Sequence, residues 1–149
     1  MKKLFLVLTC LITLSFAAFS QNNSIPREIT EMMEGLDRGY QGLNKEPSFT
    51  YLGTKIEGNN IVSTLRIDEN KAFEGMSLTE GFALINWTEE SISQMMYRDF
   101  FGVEERPEVA EDIKTLRTYK YNLVFHIIGI PSGEEMECKV SYWELPDVK

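Results

Sequence analysis

Two segments of alternating apolar and polar residues, 48–68 and 119–143, constrain the fold of this 149-residue chain more than any other feature. In the first, SFTYLGTKIE and IVSTLRIDE flank GNN. A two-residue Asn59-Asn60 turn would put Leu52, Thr54 and Ile56 on one face with Ile61, Ser63, Leu65 and Ile67. Tyr51, Gly53, Lys55 and Glu57 would share the other with Val62, Thr64, Arg66 and Asp68. One face is apolar and one polar, as a half-buried antiparallel pair requires. In the second segment, Tyr119, Tyr121, Leu123, Phe125 and Ile127 alternate with Lys120, Asn122, Val124, His126 and Ile128. A four-residue loop over 131–134 returns Met136, Cys138, Val140 and Tyr142 to the apolar face, with Glu137, Lys139, Ser141 and Trp143 opposite.

Helical spacing occupies the rest. Ile25, Ile29, Met32, Leu36, Tyr40 and Leu43 recur at intervals of three and four and predict an N-terminal helix, with Ser24 as its cap and Pro26 in its first turn. Its glycines, Gly35, Gly39 and Gly42, predict fraying after about residue 38. Ser77-Leu78-Thr79-Glu80 is a capping box, and Thr88 caps a further helix whose face is Ile92, Met95, Met96 and Phe100, ending at Gly102. Trp87 and Ile92 form its hydrophobic staple. Pro107 opens another helix with Val109, Ile113 and Leu116 inward. The expectation is an α+β fold, α-β-β-α-α-β-β, in which two antiparallel hairpins form one sheet and the helices pack on its apolar face.

The first twenty residues are read separately. MKK precedes an apolar run, LFLVLTCLITLSF, and Ala18 and Ser20 supply the small residues of a cleavage site before Gln21. That is the pattern of a secretory signal peptide, so residues 21–149 are expected to be the mature domain. The run is shorter than the ~20 residues that span a bilayer, and no later stretch is long enough, so no membrane span is expected. Cys10 lies inside the run, not after it, which argues against a lipid anchor. Its removal leaves Cys138 alone, without an internal disulfide. Lys2 and Lys3 leave with the leader, so 15 basic residues become 13 against 23 acidic ones and the net charge falls from −8 to −10. Such a chain repels phosphate backbones and anionic lipid, so nucleic acid is not an expected partner.

The chemistry of catalysis is sparse. His126 and Cys138 fall on opposite faces of their hairpin, which separates them as a nucleophilic pair. One histidine is too few for a tetrahedral zinc site, and Asp68-Glu69-Asn70 lacks the spacing of a calcium loop. The acid pairs Glu89/Glu90, Glu104/Glu105, Glu111/Asp112 and Glu134/Glu135 sit at helix starts or in turns, where dipoles and water favour them. The chain has no GxSxG, HExxH, P-loop or GxGxxG motif. No cofactor, metal or catalytic residue is expected.

The outward sheet face is the remaining candidate, with Tyr51, Lys55, Arg66, Lys120, Asn122, His126, Lys139 and Trp143 as a surface for a polar small molecule or a protein of the envelope. An enzyme with a pocket between sheet and helices, using His126 or a buried carboxylate as general acid/base, is the alternative. A third is an interaction subunit using the helix of Met95, Met96, Tyr97, Phe100 and Phe101.

The MKK leader, the early α-β-β order, the central acidic helices and the closing hairpin ending YWELPDVK resemble small exported proteins of unknown function from gut Bacteroidetes-type bacteria. The resemblance implies a bacterial periplasm or envelope setting and transfers no active site.

Overall fold

A computed structural model describes residues 24–101 and 107–146. The leader, Gly102 and the Glu104/Glu105 pair lie outside the described residues, as do the side chains of Met96, Phe100 and Phe101. The elements run α1 (Arg27–Tyr40), a 3-10 turn (Gln41–Lys45), β1 (Phe49–Glu57), β2 (Asn60–Asp68), α2 (Glu69–Ala72), α3 (Leu78–Leu84), α4 (Glu89–Phe101), α5 (Pro107–Tyr119), β3 (Asn122–Ile130), β4 (Glu135–Val140) and a closing 3-10 turn (Tyr142–Glu144).

The α+β expectation holds. The four strands form one sheet in the order β1-β2-β3-β4, with each hairpin antiparallel and the two hairpins joined by a parallel β2–β3 pair. Parallel neighbours need a crossover connection, and α2 to α5 provide it.

The hairpin faces follow the alternation, with the turns displaced. Glu57 pairs with Asn60, so the first turn is Gly58-Asn59, and Gly58 supplies the positive φ it needs. Phe125, not Ile127, faces Cys138, and His126 faces Glu137, not Lys139. Each displacement moves both strands by one residue, so the side chains keep their faces except at the first hairpin's Tyr51 and Leu52. The inner face carries Ile56, Ile61, Leu123 and Val140 across all four strands, then Thr54, Ser63, Phe125 and Cys138, then Tyr51, Leu65, Ile127 and Met136.

Tyr51 reaches that face through a bulge. It pairs with Leu65 and Gly53 with Thr64, which leaves Leu52 as the extra residue, 47% exposed. The bulge is anchored from α1 and the turn after it. Asn44 Oδ1 accepts from Tyr51 N (2.7 Å) and Asp37 Oδ1 from Thr54 N (3.0 Å). At the other edge of the sheet, Lys139 N donates to Ser93 Oγ of α4 (3.0 Å). Helix side chains thus occupy donors on both edge strands that a partner strand would otherwise use.

Both expected caps are present. Ser77 and Glu80 close their capping box, and Thr88 and Ser91 exchange bonds of 2.7 and 3.1 Å. Ser24 does not cap α1. Pro26 takes that position without a side-chain bond, and the α-helix continues to Tyr40 before tightening into the 3-10 turn. Ile29 from α1, Leu78 and Phe82 from α3, Ile92 from α4, and Ile113 and Leu116 from α5 join the inner-face residues in one core.

Candidate functional site

The structure divides the eight residues expected on the outward face. Lys55, Arg66, His126 and Lys139 do share it. Tyr51 does not, because the bulge turns it into the core. Lys120 is not in a strand; α5 extends to Tyr119 and Lys120 takes a positive φ in the turn before β3. Trp143 lies beyond β4 in the closing 3-10 turn, exposed and edge-on to Tyr142 at 5.0 Å. Asn122 is buried and spent internally, its Nδ2 donating to Asn60 Oδ1 (2.8 Å) and its Oδ1 accepting from Tyr142 N (3.2 Å).

Two of the four basic side chains on the outward face have an acidic neighbour. Lys55 pairs with Glu57 at 2.6 Å, and His126 Nε2 lies 2.9 Å from Glu135 Oε2. Between Lys55 and Lys139, Val62 and Val124 are 5% and 3% exposed yet stand apart from the main core.

The inner face is concave. Between the sheet and α2, α3 and α4 lies a cavity of about 430 Å³. Leu65, Ile67, Phe125 and Ile127 form its sheet wall, and Phe73, Phe82, Ile92 and Met95 face them. Phe73 and Phe82 meet edge-on at 5.2 Å, and Phe82 lies 5.9 Å from Trp87. Ile85 and Trp87, both exposed, make an apolar lip, and Glu46, Ser48 and Lys71 make a polar rim. Such volume and lining fall within the range of ~300–1,000 Å³ common to small-molecule sites. The sequence singled out Ile92 and Met95 as helix-face residues and Trp87 as the staple before that helix, but their convergence on Phe125 and Ile127 is a tertiary fact that no local pattern carries.

His126 points to the opposite side of the sheet, so it does not serve this cavity as acid or base. Cys138 is fully buried on the inner face. Burial, with Glu89 and Glu137 nearby, pushes its thiol up to about 11. The native thiol is therefore expected to react with an aromatic disulfide reagent at neutral pH orders of magnitude more slowly than in denaturant. Equal rates would show that the thiol is accessible and ionised.

A polar network links α1 to the first hairpin. Tyr51 Oη donates to Asp37 Oδ1 (2.9 Å) and is hydrogen-bonded to Thr54 Oγ1, which lies 2.8 Å from Ser63 Oγ. The Tyr51 hydroxyl and the Thr54 N–H hold the Asp37 carboxyl below its ordinary 3.8. A depressed carboxyl stabilises the fold above its unfolded value, and that contribution is lost as pH falls through the folded one. The thermal midpoint should drop on acidification from about pH 5 to about pH 2, and Asp37→Asn should show a smaller drop over that window. Parallel curves would remove Asp37 from the acid response.

A wider groove of about 740 Å³ runs between α1 and α5, with Gly35, Gly39, Met32 and Leu36 as its floor and Glu28, Glu31, Glu111 and Asp112 around it. Among the described residues no three His, Cys, Asp or Glu side chains are grouped to hold a metal. Also among them, no helix is long and apolar enough to cross a membrane.

No family model and no curated protein matches the chain. Among solved structures it is similar to a candidate secreted protein of Pseudomonas aeruginosa, at 10% identity and a TM-score of 0.49, over 80% of this chain and 94% of that one.

Proposed function

We propose that this is an exported, non-catalytic binding protein of a bacterial periplasm or envelope, of the Bacteroidetes-type group it resembles, and that it holds an apolar small molecule in the cavity between sheet and helices. The observation that carries the reading is the cavity itself: about 430 Å³, walled by aromatic and branched aliphatic side chains. Its lining offers shape and apolar area but no acid paired with a base. Glu46 and Lys71 are the titratable groups among the described lining residues, and both are at the rim. A site of that composition favours retention over reaction. The leader supports export.

Native mass spectrometry of the protein taken gently from its own envelope fraction tests this. The expected species has the mass of residues 21–149 plus a discrete adduct that organic solvent extracts. A chain retaining residues 1–20 would contradict export, and a strictly water-soluble adduct would contradict an apolar ligand.

A second reading places a polar partner on the outward face, favoured by the convergence of Lys55, Arg66, His126 and Lys139 on one sheet surface. Reversing the charges of Lys55, Arg66 and Lys139 together should then abolish partner capture and leave apolar-ligand binding intact. Retained capture would sink it.

A further inference from the structure

We infer that the cavity selects uncharged ligands and rejects anions, with Glu46 at its rim as the discriminating residue; this rests on the reading of the cavity as the ligand site. Among the described residues two charged side chains line it, Glu46 and Lys71. Lys71 is already engaged: its Nζ lies 3.0 Å from Asp68 Oδ2 and donates to the Pro47 carbonyl at 3.4 Å. The pairing with Lys71 also holds the Asp68 carboxyl below its ordinary value, so Asp68 stays ionised and cancels the lysine. Glu46 is exposed and has no cation within ion-pair distance among the described residues. The rim therefore carries one negative charge in excess.

The surroundings reinforce it. The whole chain is acidic, at −8. Glu89 and Glu90 open α4 just after the Trp87 lip. An anionic head group at the rim would meet this field with no unengaged cation among the described lining residues, whereas a neutral molecule loses nothing. Fatty acids and other amphiphilic anions are thus disfavoured relative to uncharged chains or rings of the same shape. The interior supports the same class, because its buried wall residues present no polar side chain to satisfy a second charged end.

A matched pair of dyes tests this: N-phenyl-1-naphthylamine, which is neutral, and its 8-sulfonate, which adds one negative charge to the same rings. Fluorescence titration of the full mature chain should show the neutral dye binding and the sulfonate weaker by about tenfold. The gap should narrow at high salt, since the repulsion is screened over a Debye length of about 10 Å at 0.1 M. It should also narrow in Glu46→Lys, an exposed substitution that leaves the cavity walls untouched. Ala72→Phe, which fills the cavity from its edge, should weaken both dyes together. Equal affinities for the two dyes, or a gap that ignores both salt and Glu46→Lys, would overturn the inference and leave the cavity reading standing. Failure of both dyes to bind, or binding unaffected by Ala72→Phe, would overturn the cavity reading and the inference with it.

Discussion

Glu69→Ala should cost the fold about 3–5 kcal/mol in urea unfolding, a large share of what a domain of this size has. Glu69 is 1% exposed and is held by hydrogen bonds, with no cation beside it in the described structure. Its Oε1 accepts from Leu78 N (2.6 Å) and Ser132 Oγ (2.5 Å), and its Oε2 from Ser132 N (2.8 Å). Two of those donors are backbone groups with no replacement once the carboxylate is gone. The bonds tie α2, the start of α3 and the β3–β4 loop into one unit, and α3 carries Phe82 of the cavity wall. Glu134 adds to that junction by accepting from Thr79 N (2.8 Å). Glu69→Gln should fall between wild type and alanine, because one end of the amide must turn a donor toward a donor. A loss below about 1 kcal/mol for Glu69→Ala would show that water replaces the carboxylate without penalty.

Gly129→Ala should be the next most damaging change, at about 2–3 kcal/mol. A Cβ built there would lie 2.3 Å from Glu69 Oε1 and 2.9 Å from both the Glu69 carboxyl carbon and Leu78 Cβ. The carboxylate has nowhere to retreat without breaking the bonds described above. The two substitutions should therefore be strongly coupled: with Glu69 already alanine, only the Leu78 Cβ contact remains and Gly129→Ala should cost less than in the wild type. A double-mutant cycle would show a coupling of about 1–3 kcal/mol. Strict additivity would mean that the strain at Gly129 lies against Leu78 or in the backbone and not against Glu69.

How much of this was legible in the sequence depends on the range of the interaction. The assignment of hairpin faces survived displaced turns because side chains alternate with period two, and the register moved by an even step. Caps at Ser77 and Thr88 depend on residues three apart, so they could be read directly. Tyr51 was misplaced because the bulge at Leu52 is anchored by the distant Asp37 and Asn44, and its one local mark in FTYLGT is Gly53, which takes a positive φ. Lys120 failed for a related reason. Tyr119-Lys120-Tyr121 continues the alternation of β3, while in the fold Tyr119 closes α5 and Lys120 turns the chain. Glu69 looked like one more acid beside Asp68, and its partner Ser132 is 63 positions away. The same distance hides the cavity, whose walls come from β2, β3 and three helices. Four of the eight expected surface residues share the outward face, and the concave site lies on the other.

Methyl-resolved NMR of the isoleucine and valine side chains, titrated with N-phenyl-1-naphthylamine, tests the central claim most directly. Ile67, Ile85, Ile92 and Ile127 line the cavity, whereas Val62, Val124 and Ile128 belong to the outward face. The account expects ring-current shifts at the first set and none at the second. Shifts at Val62, Val124 and Ile128 with the cavity isoleucines unmoved would contradict it and transfer the site to the other side of the sheet.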